Sequence, residues 1–120
     1  MAITYCTNLV NRNKRVVARA EVTPLEIEGF EGYHIGLEPQ LSEKATEQLE
    51  RIGANVISVT ARRSKVILSS RAAEELGRGG ESHPRVDMIL SEPNVEHVEN
   101  EISARGIGAA RAIMRLAVTE

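Results

Sequence analysis

Residues 41–53 read LSEKATEQLERIG, and this stretch carries the clearest periodic pattern in the chain. Apolar side chains recur in it at the spacing of one face of an α-helix. They are Leu41, Ala45, Leu49 and Ile52. Ser42 is a favourable N-cap, and Gly53 is placed to end the helix. The pattern therefore predicts a helix from Ser42 to Ile52 that buries Leu49 against a sheet and leaves Glu43 on the opposite face.

The first 22 residues alternate apolar and polar side chains with the period of two that is typical of β-strands. Residues 3–10 and 15–22 show this alternation on either side of residues 11–14, which are polar and contain two asparagines. Asparagine favours turns because its side chain hydrogen-bonds to nearby backbone groups. The segment is therefore predicted to form an antiparallel hairpin.

Strand patterns continue on both sides of the predicted helix. Pro24 is expected to break the hydrogen-bond ladder because proline has no N–H, with residues 25–28 as an edge continuation. A short strand is predicted over residues 33–37. After the helix, residues 56–59 and 66–68 are apolar runs joined by a basic tip, and they predict a second hairpin.

The C-terminal part of the chain mixes short helical and strand patterns. A short helix is predicted over 71–76, and the glycine-rich residues 77–82 are the one candidate hinge. A strand is predicted over 85–90, followed by a helix that begins at Pro93 or Asn94.

Gly106 and Gly108 are expected to interrupt the C-terminal helical region, with a last helix after them. Ala104, Gly108 and Ala112 form a stripe of small residues, so close helix packing explains these glycines better than a phosphate-binding loop. All elements together predict one α+β domain spanning residues 1–120. It is expected to hold a single mixed or antiparallel sheet built from two hairpins plus further strands, with helices on one face and a helical C-terminus.

The size and composition favour an intracellular protein. The chain has 120 residues, the usual size of one domain. Cys6 is the sole cysteine, so no internal disulfide forms, which is consistent with a reducing compartment. The N-terminal residues lack the apolar run of a signal peptide, and no stretch approaches the roughly 20 apolar residues of a membrane span. The sequence therefore predicts a cytoplasmic location and no membrane partner.

Charge is distributed in alternating blocks, although the net charge is only −2. Residues 1–20 carry +4, residues 21–50 carry −7, residues 51–71 carry +5 and residues 72–101 carry −6. Blocks of opposite sign can meet within one fold or between copies of it, and a solvated mixed-charge surface is the alternative. If they meet between copies, self-association should weaken as the salt concentration rises.

Groupings of residues that would indicate catalysis are missing from the sequence. His34, His83 and His97 are far apart, and the pair His97 and Glu101 supplies only two metal ligands. Cys6 has no basic partner nearby in the sequence, and no nucleophile-elbow motif is present. We therefore predict no catalytic residue, no metal site and no cofactor. An active site that folding assembles from separate Glu and His residues stays an open alternative.

Two segments are candidates for contact with a partner. Residues 28–33 contain Phe30 and Tyr33, each preceded by Glu-Gly, in a chain with only three aromatic residues. A glycine-flanked loop can present Phe30 outward as an interface anchor, or Phe30 can fold back and plug the core edge. The second candidate is the basic tip of the second hairpin, formed by Arg62, Arg63 and Lys65. This tip can meet acidic groups or phosphates, or it can simply keep an exposed turn hydrated.

These observations favour a non-enzymatic structural or interaction protein, a small accessory or virion-type subunit that self-assembles or docks on a larger complex. Its expected partners are another protein or copies of itself. A small-ligand-binding regulatory module is one alternative, because small α+β sheets often carry ligands at their edges. A nucleic-acid-binding protein is the other, although the negative net charge and the scarcity of aromatic residues argue against it.

Overall fold

The computed structural model describes the backbone of residues 4–78, 88–90 and 101–118. It describes the side chains of residues 4–76 and 105–118. Within these ranges the strands are β1 (Tyr5–Asn11), β2 (Val16–Ile27), β3 (Phe30–Glu38), β4 (Asn55–Thr60), β5 (Arg63–Ser69) and β6 (Met88–Leu90). The helices are α1 (Glu43–Arg51), α2 (Ser70–Arg78) and α3 (Glu101–Val118). The strands form one antiparallel sheet in the order β4-β5-β3-β2-β1-β6, which confirms the predicted α+β class with a single sheet.

Helix α1 forms where its sequence predicts. The Ser42 hydroxyl accepts a hydrogen bond from the Ala45 N–H at 3.1 Å, which satisfies a donor that the first turn would otherwise leave without a partner. Gly53 has a φ of +91°, a conformation that glycine adopts without strain, and the helix ends before it. Leu49 is fully buried and Glu43 is exposed, so the predicted helix phase is confirmed.

One face of the sheet carries the hydrophobic core. Because alternate residues of a strand point to the same face, the strand register places buried side chains beside one another. One such row crosses four strands through Tyr5, Val22, Ile35 and Val66. All three helices contribute buried residues to the same core, as the sequence predicts for helices on one face.

The ladder between β2 and β3 is not broken at Pro24, contrary to the prediction, whereas the continuation predicted after Pro24 is present as far as Ile27. Position 24 lies beyond Val22, the last β2 residue that pairs with the described part of β1. A missing N–H on that side therefore removes no described ladder bond, and proline is tolerated there. On its other side β2 pairs with β3 without interruption as far as Ile27 and Phe30.

Helix α3 runs through both of its glycines, so the prediction that Gly106 and Gly108 interrupt the helix is wrong. Packing of α3 on β1, β2 and β3 and against α2 overrides the low helix propensity of glycine. A Cβ added at Gly106 would lie 2.6 Å from a Tyr33 ring carbon and 2.9 Å from a Val22 methyl carbon, whereas one at Gly108 would meet nothing within 4 Å. Close packing therefore explains Gly106 alone.

Parts of three predictions lie outside the described residues. Residues 79–82 of the hinge and residues 93–100 of the helix from Pro93 are two of them, whereas Gly77 and Arg78 are helical and extend α2 beyond its predicted end at residue 76. The third is the strand over 85–90, of which residues 88–90 form β6 and pair with β1. A strand at this point of the chain is thus confirmed for its last three residues.

Candidate interaction surface

The sheet surface opposite the three helices, the open face, is not covered by any described element. Its residues alternate along each strand with those of the core. One row across β1, β2, β3 and β5 consists of Cys6, Glu21, Gly36 and Lys65. This face is therefore the side of the sheet on which no described helix packs.

Charges of opposite sign alternate across the open face. Arg19 lies opposite Glu38, and an Oε of Glu38 is 3.8 Å from Nε of Arg63. In the neighbouring row Glu21 and Lys65 lie on either side of Gly36. Part of the sequence's +4, −7 and +5 blocks thus meets within one fold. The Glu38–Arg63 pair is well exposed, so it contributes at most about 1 kcal/mol to stability.

Gly36 leaves a hollow in the open face. A Cβ at this position would meet no atom within 4 Å, and the surrounding side chains enclose a depression of about 210 Å³. The charged residues that line the depression are Arg19, Glu21, Glu38, Arg63 and Lys65. Because its cations outnumber its acids, the depression favours a small anion over a small cation.

His34 also lines this depression. Burial lowers the pKa of the His34 imidazole below its usual value, and nearby Lys65 lowers it further, since both disfavour the charged form. His34 is therefore neutral at pH 7, with one ring nitrogen as a hydrogen-bond donor and the other as an acceptor.

The end of the β2–β3 hairpin projects from the sheet as a two-stranded arm, residues 25–31. Beyond Gly32, which pairs with Ser69 of β5, strand β3 has no described partner except β2. Beyond Val22, strand β2 pairs with no described strand except β3, although the hydroxyls of Thr23 and Thr4 are hydrogen-bonded at 2.9 Å. The arm is therefore a ribbon of two strands, supported by the sheet at its base.

Only Glu28 and Gly29 form the turn of this arm, so the loop predicted over 28–33 is mostly strand. Gly29 is the second of the two central residues of the turn and has a φ of +81°. A type II turn requires a positive φ at this position, and glycine adopts it without strain. Phe30 already belongs to β3 and pairs with Ile27 across the arm.

Phe30 is half-buried. Its exposure therefore lies between that of an outward-facing interface anchor and that of a buried core plug, the two alternatives that its sequence context leaves open. Two of its ring carbons lie 2.8 and 2.9 Å from where a Cβ of Gly32 would be, so the ring covers that glycine. Its cross-strand neighbour Ile27 is 64% exposed. Sequence reasoning missed Ile27 as a contact residue. Its alternation with Glu26 and Glu28 was the available signal.

The arm has an apolar side and an acidic side. The apolar side continues the open face and carries Leu25, Ile27 and Phe30. On the other side Glu26 lies directly opposite Glu31, and Glu28 adds a third carboxylate in the turn. The Ser70 hydroxyl donates a hydrogen bond to Glu31 at 3.3 Å. Like charges directly opposite each other destabilise a hairpin, so stability does not explain the Glu26–Glu31 pair.

Tyr33 is a core residue, which corrects its assignment to a partner-binding loop. Its side chain is fully buried and lies against Gly106 of α3. Burial raises the pKa of its hydroxyl above the usual value, and the Glu31 charge adds to this, although the Arg105 charge and hydrogen bonding with Ser70 and the Gly106 backbone act in the opposite direction. The assignment failed because side chains alternate along β3, so residues 30 and 33 point to opposite faces.

The structure divides the basic tip of the second hairpin between two places. Arg62 lies in the turn between β4 and β5, whereas Arg63 and Lys65 lie on β5 and line the open-face depression. All three are exposed. Arg63 lies beside Glu38, at the end of β3 opposite to Phe30. The basic and aromatic candidates therefore do not form one site.

Within the described ranges, no three His, Cys, Asp or Glu side chains are grouped so as to hold a metal ion. His83 and His97 lie outside those ranges. None of the helices described is both long enough and apolar enough to cross a bilayer. No protein-family model matches the chain, and comparisons with curated proteins and with solved structures find no significant match either.

Proposed function

We propose that this chain is a non-enzymatic structural or interaction protein, a small subunit that docks on another protein through the arm at residues 25–31. The observation that carries the proposal is the exposed apolar side of the arm, on which Ile27 is 64% exposed. No described element covers that side. The proposal places the protein in the cytoplasm, because a chain whose only cysteine is Cys6 needs no oxidising compartment.

A two-stranded ribbon gains little stability in water by itself, because its apolar side stays hydrated. A partner that closes over Leu25, Ile27 and Phe30 removes that surface from water, which contributes roughly 25 cal/mol per Å². The base of the arm is held by the sheet, since Gly32 pairs with Ser69 of β5. An arm held in place loses less conformational entropy on binding than a free loop does.

The charge of the arm defines the chemistry of its partner. The arm carries three carboxylates. Glu26 and Glu31 lie on the side opposite to the apolar side, and Glu28 lies in the turn at the tip. A complementary groove is apolar at its base and carries Arg or Lys at its rim. Such a rim also relieves the repulsion between Glu26 and Glu31.

The test compares Ile27→Lys with Val16→Lys. Val16 is an exposed apolar strand residue too, but it lies outside the arm, next to the turn of the first hairpin. Affinity purification from cells that naturally contain the chain should retain the same partner with the wild type and with Val16→Lys. With the purified partner, titration calorimetry should show binding to Ile27→Lys weakened by about 30-fold or more.

Phe30→Ala provides a second variant for the same test. Because its ring is half-buried, the variant should lose about 1 kcal/mol of stability, less than a fully buried phenylalanine would lose, and it should still lose the partner. Equal partner binding by Ile27→Lys and Val16→Lys would refute the arm as the contact surface.

The depression at Gly36 favours a second candidate function, a module that binds a small anionic ligand. Arg19, Arg63 and Lys65 line it together with the neutral His34. A thermal-shift screen with inorganic phosphate and small carboxylates tests this candidate. A ligand at a hundred times its Kd stabilises the fold by about 2.7 kcal/mol. The shift should disappear in Lys65→Gln, and the absence of any shift in the wild type would exclude these ligands.

A further inference from the structure

Strand β4 (Asn55–Thr60) provides a second surface, separate from the arm. It lies at the end of the strand order, where it pairs with β5 on one side and with no described strand on the other. Alternate N–H and C=O groups of such an edge strand point away from the sheet and are available to another strand.

The sequence of β4 lacks the residues that commonly protect an exposed edge. NVISVT contains no charged residue and no proline, and the uncharged run extends over residues 52–61. Ile57 is 43% exposed and Val59 is 48% exposed. The register with β5 is regular from Asn55 to Ser58 and shifts only beside the turn. An uncharged, β-branched edge of this kind is a template for strand pairing.

A second copy of the chain fits this edge. A two-fold axis perpendicular to the sheet sets two β4 strands antiparallel, with both open faces on the same side. With Ile57 opposite Ile57 of the second copy, Asn55 lies opposite Val59, and Val56 lies opposite Ser58. Over residues 55–58, where the register with β5 is regular, this pairing keeps each side chain on its own face, and it brings no like charges together.

The two ends of β4 are also complementary in charge. The last turns of α1, which precede β4, carry Glu47, Glu50 and Arg51, and the negative end of the helix dipole adds to their net negative charge. The turn after β4 carries Arg62, followed by Arg63. Antiparallel pairing sets position 62 of one copy level with position 52 of the other. Symmetry forms this attraction between Arg62 and the acidic helix end twice.

From these observations we propose that the chain forms a two-fold symmetric dimer by antiparallel pairing of β4 with β4 of a second copy. The pairing joins two sheets into one continuous sheet. Because β4 and the arm are different surfaces, the dimer and the docking function can be tested independently of each other.

The central test compares Ile57→Lys with Val16→Lys, since both wild-type residues are 43% exposed and only Ile57 lies on the edge strand. In size-exclusion chromatography with light scattering, the wild type and Val16→Lys should have twice the 13.1 kDa mass of one chain. Ile57→Lys should be a monomer, with the dissociation constant raised about 30-fold or more. Circular dichroism establishes that each variant is folded.

Charge reversal at the strand ends gives a second test that leaves β4 unchanged. Arg62→Glu should weaken the dimer, and combining it with Glu50→Arg should restore it, because both symmetric contacts are then reversed. The wild-type dimer should weaken as the salt concentration rises. A monomeric wild type at high protein concentration and low salt would overturn the proposal. Equal dissociation of Ile57→Lys and Val16→Lys, or no recovery in the double variant, would do so too. Ile27→Lys should remain dimeric, which separates this proposal from the docking function.

Discussion

Replacing Gly106 by alanine should destabilise the fold, whereas the same change at Gly108 should stabilise it. Both residues lie within α3, so alanine at either site gains about 0.5–1 kcal/mol of helix propensity over glycine. The two sites differ in what the added methyl group meets. At Gly106 it would lie 2.6 Å from a Tyr33 ring carbon and 2.9 Å from a Val22 methyl carbon, and at Gly108 it would meet nothing within 4 Å.

The size of the effect follows from these distances. Carbon atoms in contact are normally about 3.5–4.0 Å apart, so either α3 or the Tyr33 ring has to move by nearly 1 Å. The ring is fully buried, and movement disturbs the packing around it. Overpacking costs about 1–3 kcal/mol, and an approach this close belongs in the upper part of that range. After the propensity gain, Gly106→Ala should lose about 1–2 kcal/mol, while Gly108→Ala should gain about 0.5–1 kcal/mol.

Urea unfolding of the wild type and the two variants measures this difference, provided that the m values agree. A Tyr33→Leu background supplies an internal check, because the ring that causes the overlap is then absent. In that background Gly106→Ala should be less harmful by about 1 kcal/mol or more. If Gly106→Ala stabilises the wild type as much as Gly108→Ala does, α3 does not pack on Tyr33 through this glycine, and the reasoning is refuted.

Three further predictions concern the core and the open face. In urea unfolding, Leu49→Ala should lower the free energy of unfolding by about 2–5 kcal/mol because Leu49 is buried, and Glu43→Ala should lower it by less than about 0.5 kcal/mol because Glu43 is exposed. Equal losses of stability would mean that the phase of α1 is misassigned. Thr7→Val should stabilise the fold by about 1 kcal/mol in the same assay, because the Thr7 hydroxyl is buried with no hydrogen-bond partner among the described residues. A loss of stability in this variant would show that the hydroxyl is hydrogen-bonded. The His34 pKa measured by NMR titration should lie below its usual value of about 6.5. The unfolded chain then takes up the proton first as the pH falls, so stability should decrease as the pH drops through about 6.5, and His34→Gln should remove that part of the decrease.

Local patterns in the sequence determined the elements whose physics is local. The four-residue spacing before Leu49, the Ser42 cap and the Gly53 terminator specify α1 because helix geometry and capping depend only on near neighbours. Alternation along residues 3–10 and 15–22 specified the first hairpin for the same reason. One apolar face per strand and one per helix then sufficed to predict a single sheet with helices on one side, which the structure confirms.

Only the tertiary structure decided the features that depend on which strands and helices lie next to one another. Pro24 belongs to a continuous strand because the described part of β1 no longer pairs beside it, and its own sequence does not reveal where that neighbour ends. Phe30 and Tyr33 look alike in sequence, but the start of β3 at Phe30 sets the phase that buries one and half-exposes the other. The position of β4 at the sheet edge is likewise a property of strand order, because an apolar run reads the same whether one neighbour or two lie beside it. The open face, the arm and the β4 edge were therefore beyond the reach of local patterns, since each is defined by long-range pairing.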